Sequence, residues 1–285
     1  MGFSSVDDLV NEITTNGKFY RSTFQKTTSN GATSAAGRAH GLFTATGVPG
    51  PGTFSGTAGV ATQMNSSTSG ALLLNASGVA PDTRHILTMN AYTPSTVTTP
   101  ATLILCDFLL YYPACVVTGA ATTLTNTATL PRYTDGKGVM CFVEVQTALG
   151  ATQPALTLNY RDTADNDQNS PATMVSPVAS APISTLFQSS GGLFLQLAAG
   201  DLGIKRINSY TLATGTTGTV AFVLAKPLVE IPLLAANTAS ERDFLSQLPS
   251  LPKIEDDACL GFIMLIGGAM TASQTIMGKI EMGWG

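Results

Sequence analysis

The feature that most limits what this chain can fold into is a succession of short runs in which apolar and polar residues alternate, separated by glycine, aspartate, asparagine and proline. Successive side chains of a strand point to opposite faces, so each such run reads as a half-buried strand. From Ala71 onward the runs are Ala71 to Asn75, His85 to Tyr92, Ala101 to Tyr112, Val139 to Thr147, Leu156 to Arg161, Gly192 to Ala198, Gly203 to Ala213, Thr219 to Ala225, Cys259 to Ile266 and Ile276 to Met282. Turn residues such as Asp201, Gly203, Gly215 and Gly218 punctuate them. Many short strands with little helical period predict an all-β fold, a β-sandwich with a jelly-roll-like core.

The stretch Leu130 to Arg161 shows the pattern best. A turn on Asp135-Gly136 leads to Val139, Cys141, Val143 and Val145 on one face, with Met140, Phe142, Glu144 and Gln146 on the other. After a Gly/Pro-bearing loop, Leu156, Leu158 and Tyr160 alternate with Thr157, Asn159 and Arg161. Two alternating runs joined by a short loop predict a β-hairpin. On this reading Arg132, Asp135, Lys137 and Glu144 are turn and surface charges.

Helical signals are few. Ser5 with Asp8 offers an N-terminal cap, and Val6, Leu9, Val10 and Ile13 recur at helical spacing until Asn16-Gly17 ends the pattern. A second short helix is expected over Ala239 to Leu248, capped by Ser240 and Asp243, between Ile231-Pro232 and Leu248-Pro249. From Thr27 to Gly70 the chain is rich in Gly, Ser, Thr, Ala and Pro. It reads as an extended arm and long loops with one short strand near Leu42 to Thr46. Phe19, Phe24, Phe43 and Phe54 would anchor such an arm to a partner. The resulting division is 1–70, an N-terminal helix and extended arm, and 71–285, the β-sandwich.

Charge narrows the function. Charged residues make up 11% of the chain, against roughly 25% in an ordinary soluble domain. Short neutral side chains replace them, which suits surfaces that end against other protein. The net charge is −4 and no block of Lys and Arg occurs, so direct nucleic-acid binding is not expected. The acidic N-terminus lacks the pattern of a signal peptide. The longest apolar run, Ala101 to Val117, is broken by Asp107 and Pro113 and is too short for a spanning helix, so a soluble chain with no membrane partner is expected. Cys106, Cys115, Cys141 and Cys259 lack paired spacing and read as buried reduced thiols rather than a disulfide framework or a zinc site.

The inventory of reactive groups argues against an enzyme. The two histidines stand beside no nucleophile motif, and no phosphate-binding loop, G-x-S-x-G elbow or H-E-x-x-H is found. No catalytic, cofactor-binding or metal residue is assigned, and no cofactor is expected. His40, in the arm, reads as an exposed or interface residue, and His85 as a hydrogen bond closing a turn. Asp107, inside an apolar run, must be paired, hydrogen-bonded or at an edge; a structural hydrogen bond or subunit contact is preferred to an active-site acid. Asp165, Asp167 and Asn169 copy the opening of a calcium loop, but Ser170, Pro171 and Ser176 break the match. That segment is expected to be a polar hairpin tip.

The phrases Leu130-Pro-Arg-Tyr-Thr-Asp-Gly-Lys-Gly-Val139 and Ala199-Gly-Asp-Leu-Gly-Ile-Lys-Arg-Ile-Asn-Ser-Tyr210, with the terminal Gly283-Trp284-Gly285, resemble virion structural proteins of tailed bacteriophages. The resemblance covers Ala71 to the end. It implies a capsid cement or decoration protein: a homotrimer bound to the major capsid protein, present in the virion after assembly in the host cytoplasm. A major capsid protein is the competitor, although no pattern here approaches its long spine helix. Tail and head-fibre proteins share the composition. Outside the virion classes stand a carbohydrate-binding β-sandwich, for which Trp284 is the single tryptophan, and a hydrolase using His85 or Asp107.

Overall fold

The computed structural model describes residues 2–28, 38–74, 78–94, 100–189, 192–213, 217–247, 251–267 and 274–285. Asn75, Gly215, Leu248 and Pro249, named above, lie outside them. Helix α1 (Val6–Thr14) starts where Ser5, in extended backbone, accepts a hydrogen bond from the Asp8 amide at 3.0 Å. This satisfies one of the amides a helix leaves open at its N-terminus. The strands that follow are β1 (Phe19–Thr27), β2 (Arg38–Gly41), β3 (Thr46–Val48), β4 (Thr62–Gln63), β5 (Arg84–Tyr92), β6 (Ala101–Val116), β7 (Ala121–Thr123), β8 (Met140–Thr147) and β9 (Ala155–Asp162). Beyond them come β10 (Asp167–Asn169), β11 (Met174–Val175), β12 (Ile204–Ala213), β13 (Thr219–Leu233), β14 (Ser240–Asp243), helix α2 (Phe244–Gln247), β15 (Lys253–Ile254), β16 (Cys259–Ile266) and β17 (Thr275–Trp284).

These strands form three antiparallel sheets, so the fold is the all-β sandwich expected, with two short helices. The central sheet runs β2-β16-β6-β13-β8, with β4 added to β6. A second runs β14-β5-β17-β1-β3, with β15 on β5, and a third β10-β9-β12-β7, with β11 on β9. One face of the central sheet serves both of the others. Along β6, Leu103 and Leu105 enter the core shared with Ile86, Met89 and Ile280 of the second sheet. Further along the same strand Leu109 and Tyr112 enter the core shared with Leu158, Tyr160 and Ile207 of the third. β13 divides in the same way, with Phe222 and Leu224 in the latter core and Val229 and Ile231 in the former. The opposite face of the central sheet is covered by irregular chain, which brings Phe43, Phe54, Met64, Leu186 and Leu193 onto Cys106, Phe108, Phe142 and Val223.

Several expectations are corrected by the pairing. The Val139 and Leu156 runs are strands, and their inward residues all lie in one core, but they form no hairpin. β8 pairs with β13 and β9 with β12, so the loop between them crosses from sheet to sheet. Facing strands across a core satisfy the same inward pattern as neighbours in one sheet, so alternation alone does not tell them apart. Within 1–70, β1 lies between β17 and β3, and Phe24, Phe43 and Phe54 are buried in the chain's own cores. The helix expected over Ala239 to Leu248 is a strand, β14, followed by a single helical turn, α2. Residues 71–74 and 192–198 form no strand of their own. β13, expected to stop at Ala225, continues past Pro227 and Pro232. It can do so because β8 pairs only with Thr219 to Ala225, which leaves β13 a single strand partner, β6, beyond that point.

Candidate functional site

Two buried carboxylates, Asp107 and Glu144, stand in the central sheet. Asp107 occupies the position on β6 between Leu105 and Leu109, at the seam where the two cores meet. Arg132 grips both of its oxygens, Nε donating to Oδ2 at 2.9 Å and Nη2 to Oδ1 at 2.6 Å, and the Cys259 amide donates to Oδ1 at 3.0 Å. The guanidinium also donates to the carbonyls of Met64 and Phe108, at 3.1 and 3.0 Å. Burial pushes the Asp107 carboxyl upward, and Arg132 and the Cys259 amide pull against it. Every contact is a donor to an ionised acid, and the bidentate fork is the strong form of this pair. Arg132 is therefore an interior residue and not a surface charge. Beside it Lys226, aligned with Asp107 across the β6 and β13 ladder, sets its ammonium 4.0 Å from the centre of the Tyr133 ring.

Glu144 is the second. It lies on β8 on the face opposite the valines of the core, beside Phe142, and is only 1% exposed. Thr44 Oγ1 donates to its Oε1 at 2.9 Å, and the Ser184 hydroxyl, 2.7 Å from that of Thr44, also bonds the carboxyl. Ser184 holds a left-handed φ of 63°, and its carbonyl accepts from the Gly41 amide at 2.8 Å. A Cβ at Gly41 would come within 2.0 Å of Glu144 Oε2, so a side chain there would displace the carboxyl. That oxygen is buried and makes no hydrogen bond. Burial pushes the Glu144 carboxyl up to about 7, moderated by the two hydroxyls, and no charged side chain contributes. A cavity of about 310 Å³ opens here, lined among others by Thr44, Phe54, Glu144, Gln146, Ile183 and Ser184. The sequence reading missed this residue. The available signal was Phe142, whose presence on the same face of β8 argues that the face is covered.

The remaining candidates are distributed through the fold. His40 is buried on β2, where burial pushes its imidazole down to about 4, so it is not an exposed arm residue. His85 Nδ1 lies 3.2 Å from the Leu251 carbonyl, tying β5 to the chain entering β15. Asp135 and Lys137 are exposed and pair with each other at 3.3 Å. Asp165 and Asp167 do sit at a hairpin tip, where Lys205 meets Asp165 at 2.7 Å and Arg161 meets Asp167 at 2.8 Å. Asn169 receives the Asn159 side-chain amide at 3.0 Å. Among the described residues no group of three His, Cys, Asp or Glu is placed to hold a metal. All four cysteines are buried and free, their thiols pushed up by burial. The Arg84 guanidinium lies 5.9 Å from the centre of the Trp284 ring. The two phrases that carry the phage resemblance pack on each other. Lys137 bridges Gly203, Gly138 donates to the Leu202 carbonyl at 2.9 Å, and a Cβ at Gly203 would meet the Gly136 carbonyl at 2.0 Å.

The fold thus defines a member of the all-β sandwich class. No family model and no curated protein matches the chain. Among solved structures it is similar to a mutant VP2 protein of infectious bursal disease virus in derived T=1 particles, at 8% identity and a TM-score of 0.20, over 93% of this chain and 77% of that one. It is similar also to the VP2 subviral particle of infectious bursal disease virus, at 7% identity and a TM-score of 0.20, over 93% and 80% of the two chains. Likeness at that score carries no argument about function.

Proposed function

We propose that this chain is a structural subunit of a virus particle that works by covering and joining other protein surfaces. The observation that carries the reading is the poverty of charge on its exterior. Charged residues are 11% of the sequence, and Lys26, Arg84, Asp107, Arg132, Glu144 and Asp162 are spent inside the fold. Outside, the large apolar side chains of Leu73, Leu202 and Leu234 are 65%, 61% and 68% exposed. Such a surface loses little on being covered, because few charges are desolvated. Leu202 stands where the two phage-like phrases meet, which favours that junction as a contact.

The finer reading is a cement or decoration protein, a homotrimer seated on a lattice of major capsid protein, with no nucleic-acid contact and no catalysis. Each contact would contribute about 25 cal/mol per Å² of apolar area covered, and repetition around a particle turns weak contacts into lasting attachment. The test is co-sedimentation of purified chain with heads assembled without it. Saturable binding to heads, reduced in Leu202→Asp and Leu234→Asp with unchanged melting temperatures, is expected. Failure of the wild-type chain to sediment with heads would overturn the cement reading.

A further inference from the structure

We propose that the cavity bounded by Thr44, Phe54, Ile183 and Ser184 binds a primary alkylammonium group, with Glu144 as its counter-ion. This goes beyond the assembly reading and does not depend on it. Glu144 is buried with one oxygen unbonded, and a buried carboxyl in that state must either keep a proton or acquire a cation. No lysine or arginine lines the cavity, and Gly41 presents no side chain to the acid. Arg38 and His40, the ionisable residues of β2, are not among the causes that shift it. Lys26, under the same loop, is committed to the carbonyls of Ala45, Pro49 and Gly50 at 3.3, 2.9 and 3.2 Å.

The lining selects among cations. Pro51, Phe54, Val145 and Ile183 give apolar walls for a methylene stem, Thr44 and Ser184 bring hydroxyls to the acid, and the Gln146 amide is committed to the Ala114 amide and the Phe54 carbonyl. A guanidinium fork wants both carboxylate oxygens, but the Thr44 and Ser184 hydroxyls already bond this carboxyl and only Oε2 is without a partner. Divalent cations of the hard class want several oxygen ligands of which carboxylates are the core, and here there is one. An ammonium offers three donors from one point. The hydroxyls of Thr44 and Ser184 can each accept from it while donating elsewhere. The group can come from a free alkylamine or from a lysine of another protein.

The test is calorimetric titration of the full chain at pH 8 with n-butylammonium chloride, and with 1-butanol as the neutral match. Wild-type chain is expected to bind butylammonium about tenfold or more tightly than butanol, and Glu144→Gln to lose about tenfold or more of that binding. Ile183→Trp, which fills the mouth and leaves the acid in place, is expected to lose it as well. No binding by wild-type chain, equal binding of butanol, or retention of butylammonium by Glu144→Gln overturns the proposal. A lysine-centred tripeptide and its Nε-acetylated form separate the sources. Preference for the unmodified tripeptide over butylammonium assigns a protein lysine, and the reverse order assigns a free amine.

Discussion

Asp107 and Glu144 lie two strands apart in one sheet, on opposite faces, and solve the same problem differently. Asp107 meets a guanidinium and an amide, so its charge survives burial. Glu144 meets hydroxyls of two covering loops and keeps one oxygen bare. The first arrangement fixes a seam between cores, where a wrong partner leaves an unpaired ion. The second leaves a choice between a proton and an external cation, which is the property a binding site needs and a structural pair lacks.

The contrast can be broken most sharply at Arg132. Arg132→Met strands the Asp107 carboxylate and is expected to cost about 3–5 kcal/mol in urea denaturation, whereas Asp107→Leu combined with Arg132→Met should recover most of it. A single variant as stable as wild type would show that Asp107 is not held as an ion. Next comes the pH dependence of Glu144. Its folded value of about 7 lies above the ordinary 4.5, so between those values the folded chain holds a proton the unfolded chain has released. Stability from this group is therefore complete below pH 4.5, falls by roughly 3 kcal/mol as pH rises to 7, and is flat beyond. His40, whose folded value of about 4 lies below the ordinary 6.5, gains stability over much of the same range and opposes that fall, so the Glu144 contribution is read as the difference in melting temperature between wild type and Glu144→Gln, which should narrow from pH 4 to 8.

A third buried charge sharpens the comparison with the sign reversed. Lys26 carries no acidic partner and is held by three carbonyls. Lys26→Met is expected to cost about 1–3 kcal/mol by leaving those carbonyls without a donor, seen as faster amide exchange around β3. The smallest effect is expected at Thr44. Thr44→Val removes one neutral donor to Glu144, costs about 1 kcal/mol, and moves the midpoint of the pH transition upward.

How much of this was legible varied with the kind of order involved. The inward faces of β8 and β9 followed from alternation, because Val143 and Leu158 need only a buried side. Which sheet each strand joined did not, since Val143 and Leu158 share one core from facing sheets as readily as they would as neighbours along a ladder. The extension of β13 past Pro227 was hidden because proline is excluded from a strand only where both sides are paired. The burial of Glu144 and Arg132 was lost for a related reason. Their cover comes from Thr44 and Phe54, from Ser184 and Leu186, and from Met64, all remote in sequence and outside the named strands. The Gly/Pro-rich composition of 27–70 suggested an arm, yet Phe43 and Phe54, 5.4 Å apart, show that composition says little about where loop aromatics anchor.

The position of β17 has a consequence for how such a chain is made. It lies between β1 and β5, and the pair Arg21 and Glu281 that crosses from β1 to β17 is 260 residues apart. At about 5–20 residues per second of synthesis, β1 leaves the ribosome tens of seconds before its partner exists. Through that interval the facing edges of β1 and β5 stay open to other chains. The central sheet and the β9 and β12 sheet have much of their pairing available earlier. Completion of this sheet is thus timed by one strand, and crowding of nascent chains is the moment at which it is most easily paired wrongly.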